Sequence, residues 1–343
     1  MTFQTTLDTL ADGNDLTEDE MVASMTAIMQ GEVADSQLAT FLTALQAKGE
    51  TVAEIVGAAR VMRAKAEKLD IKSTSLVDTC GTGGDGADTF NISTASALVT
   101  AGAGVTVAKH GNRAVSSRSG SADVLKCLGV NLDANLATVE RCVDEAGLGF
   151  LFAPLMHKAM KHAAGVRKKL GVRTIFNLLG PLTNPANAQA QVLGVFDVKW
   201  VQPLAEVLCG LGCSRALVVH GSDGLDEITL TGVSQVAELK NGEVTSYNLD
   251  PAELGFDYCT SADLKGGTPE ENAAIIQGIL NGEKGAKRDI VVLNSAAAIY
   301  VGGKADSLEQ GARLAVNSIE SGKARDKLKD LCRITHTKDD EHT

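Results

Sequence analysis

Apolar and polar positions over the first 70 residues follow the helical period only. Three apolar-periodic segments there have start signals. Thr17-Glu18-Asp19-Glu20 and Thr51-Val52-Ala53-Glu54 read as capping boxes, and Asp35-Ser36 offers an N-cap between them. Gly31 and Gly49 are natural stops, because glycine takes the left-handed turn that ends a helix. From residue 75 the pattern changes. Short apolar runs end in glycine-rich loops and lead into helical stretches. Strands are expected at Ser75–Cys80, Val105–Ala108, Gly149–Ala153, Gln191–Phe196, Ala216–His220 and Asp289–Asn294, with a helix over Ser93–Ala101. Strands alternating with helices imply crossover connections and a mainly parallel sheet. Gln235–Tyr247 is the exception, since Lys240-Asn241-Gly242 suggests an antiparallel hairpin. Thr268-Pro269-Glu270-Glu271 and Ser307-Leu308-Glu309-Gln310 open two late helices, and the polar tail after Arg333 is expected to fray. The expected fold is α/β. A small all-helical domain spans residues 1–70, joined by helices from about 158–185. A large α/β domain over 71–343 has a mainly parallel central sheet flanked by helices.

Composition narrows the partners. The chain has 343 residues, enough for a large core, and 44% hydrophobic with 22% charged residues is ordinary for a globular protein. A net charge of -11 argues against nucleic acid as the main partner, and 3% aromatic residues against a base-stacking platform. The seven cysteines are scattered and never spaced C-x-x-C, which suits reduced thiols better than a disulfide framework or a zinc site. Without a basic, apolar leader or a membrane-length apolar run, the expected location is the cytoplasm.

Ligands of an open parallel sheet sit beyond the carboxyl ends of its strands. After the first strand comes Gly81-Thr82-Gly83-Gly84-Asp85-Gly86. Its glycines let backbone N–H groups approach an anion, and the helix starting near Asn91-Ile92-Ser93-Thr94 adds its positive end. A plain strand-to-helix turn would need fewer glycines. The segment also matches G-x-G-x-x-G, but the acid that a dinucleotide site requires about 20 positions on is missing. After the second strand, Lys109-His110-Gly111-Asn112-Arg113 and Ser116-Ser117-Arg118-Ser119-Gly120-Ser121 supply cations and hydroxyls suited to a phosphate or diphosphate. Alone, this would read as a solvated basic loop.

Two further features have competing readings. Between Glu145 and Asp197 there is no acidic residue, while Lys158, Lys161, Arg167, Lys168, Lys169 and Arg173 fall there. That stretch is either a patch that gathers anions or a solvated helix face. His157 and His162 lie in it without a nearby carboxylate or cysteine, so zinc is not expected. Asp223-Gly224-Leu225-Asp226-Glu227 follows the strand ending at His220. It is either a Mg2+ site, with the ion bridged to substrate phosphates, or a polar turn.

Together these segments resemble the anthranilate phosphoribosyltransferase family, of tryptophan biosynthesis, over nearly the whole chain. The resemblance rests on Asp78 to Gly86, Asn91 to Thr94, Lys109 to Ser116, Val166 to Thr174 and Phe176 to Pro185. It implies transfer of phosphoribose from phosphoribosyl diphosphate to the amine of anthranilate, with pyrophosphate leaving. Phosphoribosyl diphosphate would be surrounded by Gly81, Gly84, Asp85, Thr89, Asn91, Ile92, Ser93, Thr94, Lys109, His110, Gly111, Asn112, Arg113, Ala114, Val115, Ser116, Ser117 and Ser121. Anthranilate would meet Gly81, His110, Asn112, His157 and Arg167. Ser93, Asp226 and Glu227 would hold two Mg2+ ions, and a homodimer would form through the helical domain. No residue is assigned as acid or base. Lys158 departs from the family pattern, which often has proline there. The glycine loop alone is shared with nucleoside phosphorylases, so a pyrimidine nucleoside phosphorylase is one alternative. A non-catalytic nucleic-acid-binding relative is another.

Overall fold

The computed structural model describes residues 2–114 and 118–337. Four helices precede the sheet: α1 (Phe3–Ala11), α2 (Glu18–Gln30), α3 (Asp35–Lys48) and α4 (Val52–Lys65). Thr17 and Thr51 form the expected capping boxes, and Gly31 ends α2 in the left-handed region. Two details differ from expectation. A fourth helix, α1, is capped by Thr2. Asp35 is already the first residue of α3, whose N-cap, Ala34, makes no side-chain cap bond. Glu54 does more than complete its box. Fully buried, its carboxylate accepts the Leu16 N–H at 2.9 Å and pairs with Lys48 at 3.0 Å, so the start of α4 also fixes the entry to α2.

The sheet has seven strands: β1 (Val77–Gly81), β2 (Val107–Gly111), β3 (Leu148–Phe152), β4 (Ala190–Gly194), β5 (Arg215–Gly221), β6 (Ser234–Lys240) and β7 (Glu243–Leu249). Their order is β3-β2-β1-β4-β5-β6-β7. The first five run parallel, and β5, β6 and β7 pair antiparallel. The β6–β7 turn uses Asn241 and Gly242 at φ 55° and 81°, the conformation that a tight hairpin requires. The remaining helices are α5 (Ile92–Gly102), α6 (Ser121–Cys127), α7 (Leu136–Arg141), α8 (Ala153–Met156), α9 (Lys161–Leu170), α10 (Ile175–Leu182), α11 (Val201–Gly210), α12 (Pro269–Leu280), α13 (Ala286–Val301), α14 (Leu308–Glu320) and α15 (Lys323–His336).

The strand expected at Asp289–Asn294 is instead part of α13. That helix is buried on every side from Ile290 to Val301, so its apolar residues show no single face. A short apolar window on such a helix cannot be told from a buried strand.

Successive strand residues point to opposite faces, and each face has its own core. Val77, Val107, Ala190, Val192, Leu217 and Val219 pack with α5, α13 and α15. Leu193, Ala216, Val218, Ala237 and Leu239 pack with α4, α10, α11 and the N-terminal helices. The helical unit thus shares a core with one face of the sheet. Fully burying a leucine or valine contributes roughly 1.5–3 kcal/mol, so this shared core holds the two parts together.

Candidate active site

Strands β1 to β3 are added in one direction and β4 and β5 in the other, so the chain reverses between β1 and β4. Crevices at such switch points are where α/β sheets bind ligands. Gly81 and Gly194 are register partners at the ends of those two strands. Both are glycine for a steric reason. A Cβ at Gly81 would lie 2.2 Å from Asp226 Oδ2, and one at Gly194 would lie 1.5 Å from the Asp226 backbone oxygen. The absence of two side chains lets the segment after β5 lean over the crevice and deliver Asp226 to it. Asp226 Oδ2 then accepts the Gly83 N–H at 2.7 Å.

The acid pair predicted from sequence meets the glycine loop in space. Burial, followed by the nearby charge of Asp85, pushes the Asp226 carboxyl up to about 7, partly offset by the Gly83 N–H. Burial and then the charge of Asp226 raise Glu227 well above the usual range, and Lys109 opposes this. The Ser93 N–H, at the start of α5, also stabilises the Glu227 carboxylate. Lys109 is buried. It donates to the Thr79 carbonyl and, at 3.2 Å, to Ser93 Oγ. Crowded carboxylates beside a hydroxyl are hard oxygen donors, the chemistry that suits Mg2+ completed by water and phosphate. Among the described residues, no cluster of three or more His, Cys, Asp or Glu forms a closed metal cage.

The second loop is built around Asp123, which the sequence reading did not single out. Its carboxylate accepts the N–H groups of Ala114 and Gly120, both at 3.0 Å, and pairs with Arg113 at 3.3 Å. Ser121 Oγ donates to the Asn112 carbonyl at 3.2 Å, while the Asn112 and Arg113 side chains are exposed. A Cβ at Gly111 would clash with Ser121 and Phe150. Val115, Ser116 and Ser117 lie outside the described residues. The Asn91 amide is internally committed: it donates to the Ser119 carbonyl and accepts from Ser119 Oγ and Asn272 Nδ2. Ile92 places its side chain in the core and its N–H on the Phe90 carbonyl. Thr94 Oγ1 is buried and has no hydrogen-bond partner among the described residues. Thr89 bridges to Lys265, Gly84 accepts Arg173, and the Asp85 carboxylate takes the Ala87 N–H.

Helix α10 gathers the other half of the site. His110 Nδ1 contacts the Gly180 carbonyl at 3.2 Å, and the Arg167 guanidinium lies 5.1 Å from the centre of the Phe176 ring. Arg167 and His110 thus both contact α10, one at the Phe176 ring and the other at the Gly180 carbonyl. His110 meets His157 edge-on, with ring centres 5.1 Å apart. Burial lowers His110 to about 3 and His157 to about 4, so both rings are neutral at neutral pH. Among the described residues His110 Nε2 is buried without a hydrogen-bond partner, while the Thr183 backbone acts on the His157 ring. Arg167 is half-buried, and no carboxylate pairs with it among the described residues.

Two acids over a glycine loop meet at a small-residue crevice between β1 and β4, and Arg167 of α9, with no carboxylate partner among the described residues, stacks on Phe176 of α10. Comparison with known proteins covers all of it. The helical bundle domain of a glycosyl transferase family matches residues 4–66, and the a/b domain of a glycosyl transferase family matches residues 73–325. The anthranilate phosphoribosyltransferase of Acetivibrio thermocellus is 55% identical over 328 residues, 96% of this chain and 95% of the relative.

The chain belongs to the anthranilate phosphoribosyltransferase family.

Solved structures agree. The anthranilate phosphoribosyltransferase of Thermus thermophilus superposes with a TM-score of 0.92 at 47% identity, covering 96% of this chain and 99% of that one. The enzyme of Saccharomyces cerevisiae, solved with PRPP and Mg, gives 0.88 at 26% identity, with 97% of both chains covered. Membership of the anthranilate phosphoribosyltransferase family displaces the nucleoside phosphorylase and nucleic-acid alternatives. Lys158, the departure from the family pattern, pairs with Glu67 at 2.9 Å and is exposed. The basic patch is dispersed in space: Lys169 pairs with Asp35, and Arg173 reaches the glycine loop. Asp78, Asn184 and Gln191 were missed by sequence reasoning. Asp78 is fully buried and accepts the His110 N–H at 3.1 Å and Asn184 Nδ2 at 2.8 Å, locking β1, β2 and the end of α10 together. Gln191 donates to the Pro181 carbonyl at 2.7 Å. Asp78 and Asn184 lie within the blocks that carry the family resemblance, yet their pairing joins distant parts of the chain.

Proposed function

We propose that this protein transfers the 5-phosphoribosyl group from phosphoribosyl diphosphate to anthranilate, giving N-(5-phosphoribosyl)anthranilate and pyrophosphate, a step of tryptophan biosynthesis. The observation that carries the residue roles is Arg167 of α9: a half-buried guanidinium without an ion partner among the described residues, stacked on Phe176 of α10, the helix whose Gly180 carbonyl meets His110. A planar cation without a carboxylate partner among the described residues, lying over an aromatic ring, suits the carboxylate of a flat aromatic acid. Asn112 and the Gly81 end of β1 complete that wall in this reading.

The diphosphate would lie on the loop Gly81–Gly86, the start of α5 and the loop Lys109–Ser121. Ser93, Asp226 and Glu227 would hold Mg2+, two ions per subunit in our reading, and the metal would neutralise charge growing on the departing pyrophosphate. The amine lone pair forms the new C–N bond at the anomeric carbon as the C–O bond to pyrophosphate breaks. The amine's surplus proton passes to solvent, and no side chain is assigned as base. Lys109 and the N-terminus of α5 favour negative charge on the leaving-group side. The neutral state of His110 and His157 keeps positive charge away from the attacking amine. Holding both substrates at fixed geometry supplies much of the remaining rate enhancement.

Homodimerisation through α1 to α4 with residues of about 158–185, and a cytoplasmic location, belong to the same reading. All seven cysteines are free thiols, as a reducing compartment allows. No helix among the described residues is long and apolar enough to cross a membrane. Incubating the protein with both substrates and Mg2+ should consume anthranilate and release pyrophosphate. Absence of N-(5-phosphoribosyl)anthranilate under those conditions rejects the assignment.

A further inference from the structure

The glycine loop has little of its own to hold it in shape. Gly83, Gly84 and Gly86 all sit at left-handed φ angles of 66°, 76° and 71°. Two side chains grip the central dipeptide. Asp226 takes the Gly83 N–H at 2.7 Å, and Arg173 donates to the Gly84 carbonyl at 2.5 Å. The Arg173 guanidinium also lies 4.0 Å from the centre of the Phe196 ring, two residues beyond the end of β4. Phe196 is anchored in turn, because its N–H donates to Thr82 Oγ1 at 3.0 Å. Phe196, Arg173, Gly84, Gly83 and Asp226 thus form a continuous chain of contacts. Arg173 makes these contacts from an exposed position, with no carboxylate partner among the described residues.

We propose that Arg173 is a positioning residue for this site: stacked on Phe196 and bonded to the Gly84 carbonyl, it keeps the Gly83 N–H on Asp226 and the glycine loop shaped for the metal-bound diphosphate. The proposal rests on the functional reading above. Arg173 fixes the Gly84–Asp85 peptide unit by its carbonyl, and Asp226 fixes the Thr82–Gly83 unit by its N–H, so the two grips hold the loop on either side of the Gly83–Gly84 link. Arginine suits the task because its planar group can stack on a ring while donating at its edge. Arg173 lies six residues after Arg167, so the segment carrying the acceptor's cation also shapes the donor's loop. A misplaced loop would reduce the fit of both substrates together.

The test uses R173Q and R173K in the full chain. Hydrogen exchange is followed in the metal-free protein, and phosphoribosyl diphosphate is titrated calorimetrically at fixed Mg2+ without acceptor. R173Q should speed exchange of amides 82–87 while leaving α13 at the parent rate. It should weaken phosphoribosyl diphosphate binding about tenfold, the size of one lost charge-assisted hydrogen bond. R173K, which retains a donor, should stay within about threefold of the parent. Unchanged exchange at 82–87, or faster exchange spread equally over α13, would overturn the proposal. The exchange measurement involves neither substrate. Failure of the parent to form product would therefore reject the functional reading separately.

Discussion

Asp226 occupies the space where a side chain on Gly81 would be: a Cβ there would fall 2.2 Å from Asp226 Oδ2. Neither residue is intelligible alone. The glycine is small because the acid is close, and the acid reaches the crevice because the glycine is small.

Gly81→Ala and Gly194→Ala should therefore fail differently. At Gly81 the clash is with the end of a side chain, which can swing away. The fold should survive, with kcat/KM down by about 100-fold as Asp226 is displaced, comparable to losing a well-placed electrostatic group. At Gly194 the clash is with the Asp226 backbone at 1.5 Å. Thermal denaturation should show a stability loss of about 3 kcal/mol or more, at the upper end for overpacking. Equal stability losses in the two variants would contradict this distinction.

Arg167→Ala should raise the KM for anthranilate by about 10- to 100-fold, matching the roughly 1.5–3 kcal/mol of a hydrogen bond to a charged group. The KM for phosphoribosyl diphosphate should move much less. Steady-state kinetics with each substrate varied gives the comparison. Equal losses for both would remove the carboxylate role.

Asp226→Asn should change the Mg2+ dependence of the reaction, raising the concentration for half-maximal rate. The amide keeps the shape and can still accept the Gly83 N–H, but it lacks the charge that a hard cation requires. The same change removes repulsion toward Asp85 and Glu227. The metal-free variant should therefore melt no lower than the parent at neutral pH. A Mg2+ titration of activity that superposes on the parent's would exclude Asp226 from the metal site.

His157→Phe should make the protein less sensitive to acid. Burial lowers the His157 pKa in the folded protein to about 4, below its ordinary value of 6.5. The unfolded chain thus binds the extra proton first. Stability is complete above about 6.5 and falls as the pH drops from there toward 4. Phenylalanine cannot take up that proton and can keep the edge-on packing against His110. Denaturant titrations at pH 7 and pH 4.5 should show the parent losing more than the variant, by on the order of 2 kcal/mol. Identical pH profiles would show that His157 is not buried as a neutral ring.

Features that depend on neighbours in the chain were legible from the start. The Thr17 and Thr51 capping boxes, the Asn241-Gly242 hairpin and the glycine loop followed by a helix each lie within a few residues. Local hydrogen bonding and backbone freedom dictate them. The Asp289–Asn294 strand was misread because α13 is buried all round, which erases the periodicity that separates helix from strand. Asp35 was misplaced by one position because both it and Ser36 have the chemistry of a cap.

The sequence by itself determined the order of β1 to β7, the chemical types at the crevice and the family. It determined these through short-range propensity and through motifs whose spacing is set along the chain. Only the tertiary structure decided which groups act together. Asp226 meets Gly83 across 143 residues, Asn184 meets Asp78 across 106, and Arg173 meets Gly84 across 89. Such pairings depend on where β1 and β4 lie in the sheet and on how closely two glycine backbones allow a third segment to approach. Those distances are set by packing, which has no local signature in the chain.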